Sequence, residues 1–418
     1  MRLEVNPYIF GKKIGTLLYD EGKVYFEYDE AFRSSGLEIS PLMLSLESTR
    51  LYTNEKERDY FQGLPGVFHD SLPDKFGTKL IERYFESKNI PPHELNIMQK
   101  LMFVGNKSMG AISYQPSENL MDRHGMQELI DIEVFSKNAQ KIIKGETLEV
   151  VDGVLAFMDS AASAGGARAK AVVGFDPTSD KMIYGMRDTL PEPFEHWLIK
   201  FDMYDDNGNS QDYTKLEFLY MTMAKEAGIE IPELRLLEQG GLTHYIIKRF
   251  DRENNKRLHM HSAAGMTHSN INVPGHYSYD NLLRLTRRVT GAQRDVEEVY
   301  RRMIFNIVAR NQDDHAKNFA FLMDARGGWR LSPAYDITYA YGSGYTREHQ
   351  LSLKGKTSNF ERKELLQLAE EHSLSKSKAN EWIECIIEIV SDFSHRAKDL
   401  DINGKLLERV GKSHRLKL

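Results

Sequence analysis

Cysteine is almost absent from this 418-residue chain, where Cys385 stands alone. A single thiol can form neither an internal disulfide nor a cysteine-rich zinc site, so stability has to come from apolar cores. That usage suits a reducing compartment, and a cytoplasmic location is expected. Long apolar runs are missing too: none reaches the roughly 18–20 residues of a membrane helix, so no membrane association is expected. The opening Met1-Arg2-Leu3-Glu4-Val5 puts an acidic residue where a signal peptide needs a continuous apolar core. Nor is positive charge in excess. Against 61 Asp and Glu there are 55 Lys and Arg, a formal charge of −6, the wrong sign for a chain that coats nucleic acid by itself. Repeats and low-complexity tracts are not visible. What remains is an ordinary globular mixture, 41% apolar and 28% charged, at a length that suits two or three domains.

Short β-type runs at 8–10, 15–19 and 24–28 are separated by Lys/Gly and Asp/Glu/Gly turns. Residues 79–85 have helical spacing, while 102–105 and 110–114 read as a hairpin. A polar stretch at 115–126 marks a boundary. Beyond it, the pattern predicts a helix over 128–143 and strands over 171–175, 196–200 and 245–250. Between the last two strands, Leu216, Leu219, Tyr220 and Met223 form one helical stripe that closes at Gly228. From about 277 the pattern turns helical, with segments at 279–289, 296–309, 362–371 and 378–393. A β-rich half followed by a helical half is an α+β, two-lobed layout.

The richest stretch for chemistry is Asn311-Gln312-Asp313-Asp314-His315-Ala316-Lys317-Asn318, on a loop leaving an amphipathic helix. Phosphoryl transfer can use a carboxylate and an amide at this spacing, Asp313 to accept the nucleophile's proton and Asn318 to hold magnesium. Asp336, eighteen residues after Asn318, can supply a second metal ligand. Read alone, the same loop is a polar turn capping the next element. Lys200 sits in an alternating strand, with Leu198 on its side and Trp197 and Ile199 on the other; there it can neutralise nucleotide phosphates. Glu217 on the following helix is a candidate ion-pair partner. The bland reading of Lys200 is an edge-strand lysine. Gly165-Gly166, flanked by Ser163, Arg168 and Lys170, lets backbone N–H groups approach phosphate, yet matches neither a Walker loop nor GxGxxG. A hairpin turn explains it equally. Together, these five features stand in the order a kinase needs.

The segments Ser163-Ala164-Gly165-Gly166-Ala167-Arg168-Ala169-Lys170, Leu198-Ile199-Lys200, Lys248-Arg249-Phe250-Asp251, Asp313-Asp314-His315-Ala316-Lys317-Asn318 and Ser332-Pro333-Ala334-Tyr335-Asp336 resemble the HipA family. Its members are serine/threonine kinase toxins of bacterial toxin–antitoxin pairs. The resemblance covers nearly the whole chain. It implies a two-lobed kinase-like fold: a β-rich subdomain at 1–115, an N-lobe with the glycine-rich loop at 116–250 and a helical C-lobe at 251–418. Asp313 would be the catalytic base, Asn318 and Asp336 the Mg2+ ligands, and Lys200 the phosphate contact. Gly165, Gly166 and Lys170 would cover the ATP phosphates. His315 and Tyr335 would line the nucleotide site, and the main chain from Lys248 to Phe250 would bond adenine. Ser163 would be autophosphorylated, with Ser160 as competitor. A small DNA-binding, HipB-like antitoxin would be the partner and would carry most DNA contact. The protein substrate would be an aminoacyl-tRNA ligase such as glutamate–tRNA ligase.

The family's loop glutamine is replaced by Arg168, and Lys248 stands where an acidic residue is common. Asp314 competes with Asp313, and only the spacing to Asn318 favours the latter. Two other readings share these residues: a small-molecule phosphotransferase, and a non-catalytic regulator acting through a DNA-binding partner. His259, His261, His268 and His276 match no compact metal motif and read as a polar loop. The basic tail 404–418 reads as a solvated helix end, with DNA contact as the alternative.

Overall fold

The computed structural model of the chain describes residues 2–54, 60–118, 129–144, 146, 157, 168–185 and 188–418. They belong to two compact units. The first comprises Met1–Tyr204, Leu237–His261 and Leu322–Gly327; the second comprises Asp205–Leu236, Ser262–Phe321 and Gly328–Leu418.

In the first unit, short alternating sequences become strands because every second side chain is buried. β1 (Leu3–Ile9), β2 (Lys12–Lys13), β3 (Gly15–Asp20), β4 (Lys23–Tyr28) and β5 (Tyr52–Thr53) form a sheet in the order β2-β1-β3-β4-β5, and β6 (Ile112–Gln115) pairs with β1. The hairpin expected over 102–114 is corrected: its second arm is β6, but its first belongs to a helix, Ile97–Val104. Asn96 accepts from the Gln99 amide while the Gln99 side chain bonds the Asn96 N–H. This capping box starts a helix that a four-residue apolar run could not distinguish from a strand.

The second sheet runs β10 (Leu234–Gln239), β11 (Leu242–Lys248), β9 (Glu195–Lys200), β7 (Lys170–Phe175) and β8 (Met182–Tyr184). One face, with Val173, Phe175, Trp197 and Ile199, shares a core with Phe76, Leu80, Phe103 and Phe135 from the helices Lys75–Ser87, Ile97–Val104 and Ile132–Lys144. β11 stops two residues short of the expected end at Phe250, which enters a turn. That turn leads to Asp251, a fully buried carboxylate. It accepts from Arg249 Nε (2.9 Å) and Nη2 (2.7 Å), Arg252 Nη1 (2.6 Å) and the Gly110 N–H (2.7 Å). Burial alone would raise this carboxyl, but Arg249 and Arg252 hold it well below the usual range. Burial, then the charge of Arg249, depresses Arg252 to about 9. Asp251→Ala strands both cations, and the expected cost is about 3–5 kcal/mol of stability. Urea denaturation measures it; a loss under about 1 kcal/mol would refute the triad's role.

The polar-loop reading of His259 and His261 is also corrected, because both are buried on the strand His259–Ser262. His259 Nε2 lies 2.9 Å from Ile39 O. His261 Nδ1 is 2.7 Å from Asp70 Oδ2, and its Nε2 is 3.0 Å from Ser40 Oγ. That is the order of a hydrolase triad, but Ser40 is 1% exposed and no substrate can reach it. It is a buried tie.

The second unit is mainly helical, with Tyr213–Glu226, Tyr279–Thr290, Gln293–Ala309, Arg362–Glu371, Lys376–Ser391, Phe393–Lys398 and Gly404–Ser413. Gln293–Ala309 is its axis: Val296, Val299, Tyr300, Met303, Ile304 and Ile307 are all fully buried. The basic tail is corrected in part. Lys405, Arg409 and Lys412 on Gly404–Ser413 are exposed, as expected for a solvated helix, but the residues after it dock onto the protein. Arg415 N donates to Val308 O at 2.9 Å.

Candidate active site

Helix Gln293–Ala309 ends where Arg310 takes left-handed backbone, φ +59°, with its N–H on Asn306 O. The next residues run beside residue 340: Gln312 N donates to Ala340 O (2.9 Å) and Ala340 N to Arg310 O (3.1 Å). Asp313 and Asp314 then enter different environments, because successive side chains on extended backbone point opposite ways. Asp313 is 43% exposed and has His315 Nε2 3.5 Å away. Asp314 is buried, accepting from Tyr279 OH (2.5 Å) and Gln350 N (2.7 Å) and lying 2.8 Å from His349 Nδ1. Its lone pairs are committed to the fold.

Asn318 closes a short 3-10 turn, Ala316–Asn318, and its Nδ2 donates to Asp313 O at 2.8 Å. That bond commits the amide nitrogen to the loop and leaves the side-chain oxygen as the group to meet a ligand. Asp336 sits at φ +52°, a left-handed conformation that Asp tolerates better than most residues. Its segment is held from several sides. Arg302 Nη2 donates to Ser332 O (2.8 Å), Ala334 N to Glu230 O (2.8 Å) and Tyr335 OH to Lys317 O (2.7 Å). Asn318, Tyr335 and Asp336 thus line one cleft, together with Asp314, Arg302 and Asn306.

Sequence reasoning missed the supports. Asn306 carried a signal, since it interrupts the apolar run from Met303 to Ala309, and it is buried, as is Arg302. Tyr279, His349 and Gln350 carried none, because they meet Asp314 from positions 35 or 36 residues away.

In the first unit, Lys200 on β9 pairs directly with Lys170 on β7 and Tyr245 on β11. The lysines are 7% and 2% exposed, and the Lys200 ammonium is 5.9 Å from the Tyr245 ring centroid. Val172, Leu198 and Ile247 lie on the same sheet face, opposite the Trp197 core. Two cations beside an apolar strip can hold a polyanion with a flat apolar end. Lys248 points elsewhere and pairs with Glu195 at 2.8 Å. Glu217 is buried on Tyr213–Glu226 in the second unit, so its pairing with Lys200 stays a proposal. Ser160, Ser163, Gly165 and Gly166 lie outside the described residues.

Residues 162–393 match the HipA-like C-terminal domain and residues 5–115 the HipA N-terminal domain. A Sinorhizobium fredii protein named "Putative kinase Y4dM" is 26% identical over 389 residues, covering 88% of this chain and 85% of its own. A "Putative kinase" of Haemophilus influenzae is 26% identical over 186 residues, covering 37% of this chain and 52% of its own. Among solved structures, a chain from the Shewanella oneidensis MR-1 toxin–antitoxin complex of HipA, HipB and operator DNA superposes with a TM-score of 0.67. That match has 16% identity and covers 98% of this chain and 94% of the other; at such identity it speaks for the fold. With both HipA domain models matched and the kinase-like fold shared along nearly its whole length, the chain belongs to the HipA family.

Proposed function

We propose that the chain is an ATP- and Mg2+-dependent serine/threonine protein kinase and the toxin of a toxin–antitoxin pair. The observation that carries this reading is the cleft holding Asn318 and Asp336 beside a loop on which Asp313 is exposed and Asp314 is saturated. Asp313 orients the acceptor hydroxyl and takes its proton. Asn318 and Asp336 would hold the metal: an amide oxygen and a carboxylate are hard donors that suit Mg2+, which when bound neutralises phosphate charge. Lys200 and Lys170 attract the phosphates, the Gly165-Gly166 loop covers them, and the main chain from Lys248 to Phe250 meets adenine. His315 and Tyr335 line the nucleotide site, and Glu217 steadies Lys200.

Ser163 is the autophosphorylation site in this reading, with Arg168 and Lys170 near in sequence as partners for a phosphate carrying about −1.5 to −2 charges. The relative solved with HipB and operator DNA supports a HipB-like, DNA-binding antitoxin as partner. An aminoacyl-tRNA ligase is the substrate class that family membership favours. The test is a transfer assay with γ-labelled ATP, Mg2+ and bacterial lysate. Label on protein serine or threonine, with mass spectrometry placing phosphate on Ser163, is the expected result. Label confined to small molecules, or no transfer at all, would overturn the kinase reading.

A further inference from the structure

We infer that the C-terminal segment Ser413–Arg415 is a positioning element for the catalytic loop, acting as the cap of the helix from which that loop departs. The inference rests on the kinase reading for its meaning, though its geometry stands alone. An α-helix leaves its last four carbonyls without intrahelical partners. In Gln293–Ala309, the regular donor to Val308 O would be Gln312 N, and to Ala309 O it would be Asp313 N. Neither residue stays helical, and Gln312 N bonds Ala340 O instead. The vacated carbonyls are taken by other parts of the second unit. Arg415 N donates to Val308 O (2.9 Å) and Tyr220 OH to Ala309 O (2.9 Å).

The tail also fixes the groups that make these bonds. Tyr220 Oη lies 2.8 Å from His414 Nε2. Because the tyrosine's one proton goes to Ala309 O, His414 is the donor in that pair. Arg310, the left-handed residue that ends the helix, donates from Nε to Ser413 O at 2.9 Å. Arg415 Nη2 reaches Phe360 O at 2.7 Å, and the His414 ring meets Phe393 edge-on at 4.9 Å. Without the tail, Val308 O loses its donor and the Tyr220 hydroxyl loses the His414 bond that holds it on Ala309 O, so Gln312 N and Asp313 N can compete again for both carbonyls. Another helical turn would then form at the expense of the loop that presents Asp313. A displacement of about 1 Å costs roughly 100-fold in rate.

The experiment compares the full chain with one ending at Lys412, and with Tyr220→Phe, His414→Leu and His414→Gln in the full chain. The truncation, Tyr220→Phe and His414→Leu are expected to lower kcat by about 10- to 100-fold with ATP affinity changed less than about twofold. His414→Gln keeps an N–H donor and is expected to restore most of kcat. Amide exchange at Ala340, whose bond to Arg310 O is lost when the helix extends, should speed up in the truncated chain. Unchanged exchange there, or kcat unaffected in folded Tyr220→Phe and His414→Leu chains, would overturn the inference. Absence of transfer in the full chain would instead remove the kinase reading, while the exchange measurement still decides whether the tail holds the loop.

Discussion

Asp313→Ala is expected to lower phosphoryl transfer by about 10³-fold while ATP affinity and folding stability stay near those of the parent chain. Asp314→Ala is expected to do the opposite in kind. The reason is the asymmetry between neighbours. The Asp313 side chain is 43% exposed, so its loss costs the fold less than the loss of a buried carboxylate. Asp314 satisfies the buried Tyr279 hydroxyl, the Gln350 N–H and the His349 ring. Leaving such groups unpaired costs about 1–3 kcal/mol each. Transfer assays, isothermal ATP titration and urea unfolding on both variants separate the two patterns. An active Asp313→Ala chain, or an Asp314→Ala chain of parental stability, would contradict these assignments.

Stability is expected to fall steeply between pH 6.5 and about 4. Burial lowers His196, His244 and His414 to about 4 and His259 to about 3, with help from Arg249 and Arg252 at His196, from His261 at His259 and from Arg310 at His414. An unfolded histidine titrates near 6.5. Below that pH the unfolded chain binds more protons than the folded one, so unfolding free energy decreases as pH falls. The loss ends once the folded-state values are passed. At pH 5 each histidine contributes roughly 1–2 kcal/mol of destabilisation relative to pH 7. Carboxylates such as Asp251, held below their usual range, begin to lose their contribution only below about pH 5, so the span from pH 7 to 5 reports mainly the histidines. Urea midpoints at pH 7, 6 and 5 measure the effect. Equal midpoints would mean that these rings are solvated in solution, whereas His244→Phe and His259→Phe should each flatten the profile by about one proton.

His196, His244, His259 and the Asp251 triad belong to the first unit, whose sheet carries Lys170 and Lys200. Gly110 reaches Asp251 from the segment matching the HipA N-terminal domain, while Arg249 and Arg252 belong to the one matching the C-terminal domain. The two matched segments therefore share a buried charge network as well as an apolar core.

Local pattern alone determined the strands β3, β4, β7 and β9, the helix Arg362–Glu371 and the D-x4-N loop, because alternation, helical spacing and turn residues act over neighbours in the chain. It determined the face of β9 as well, placing Lys200 away from Trp197. Tertiary structure decided what local pattern could not. Asp313 and Asp314 are chemically identical and adjacent, and only Tyr279, His349 and Gln350, brought from elsewhere in the chain, make one a buried anchor and leave the other exposed. The 97–104 run became a helix through its cap, and His259 and His261 became core residues through Ile39, Ser40 and Asp70. The tail looked solvated because its composition is basic. It is docked because a helix ending at Ala309 leaves carbonyls that need donors, a requirement visible only once the chain has folded back on itself.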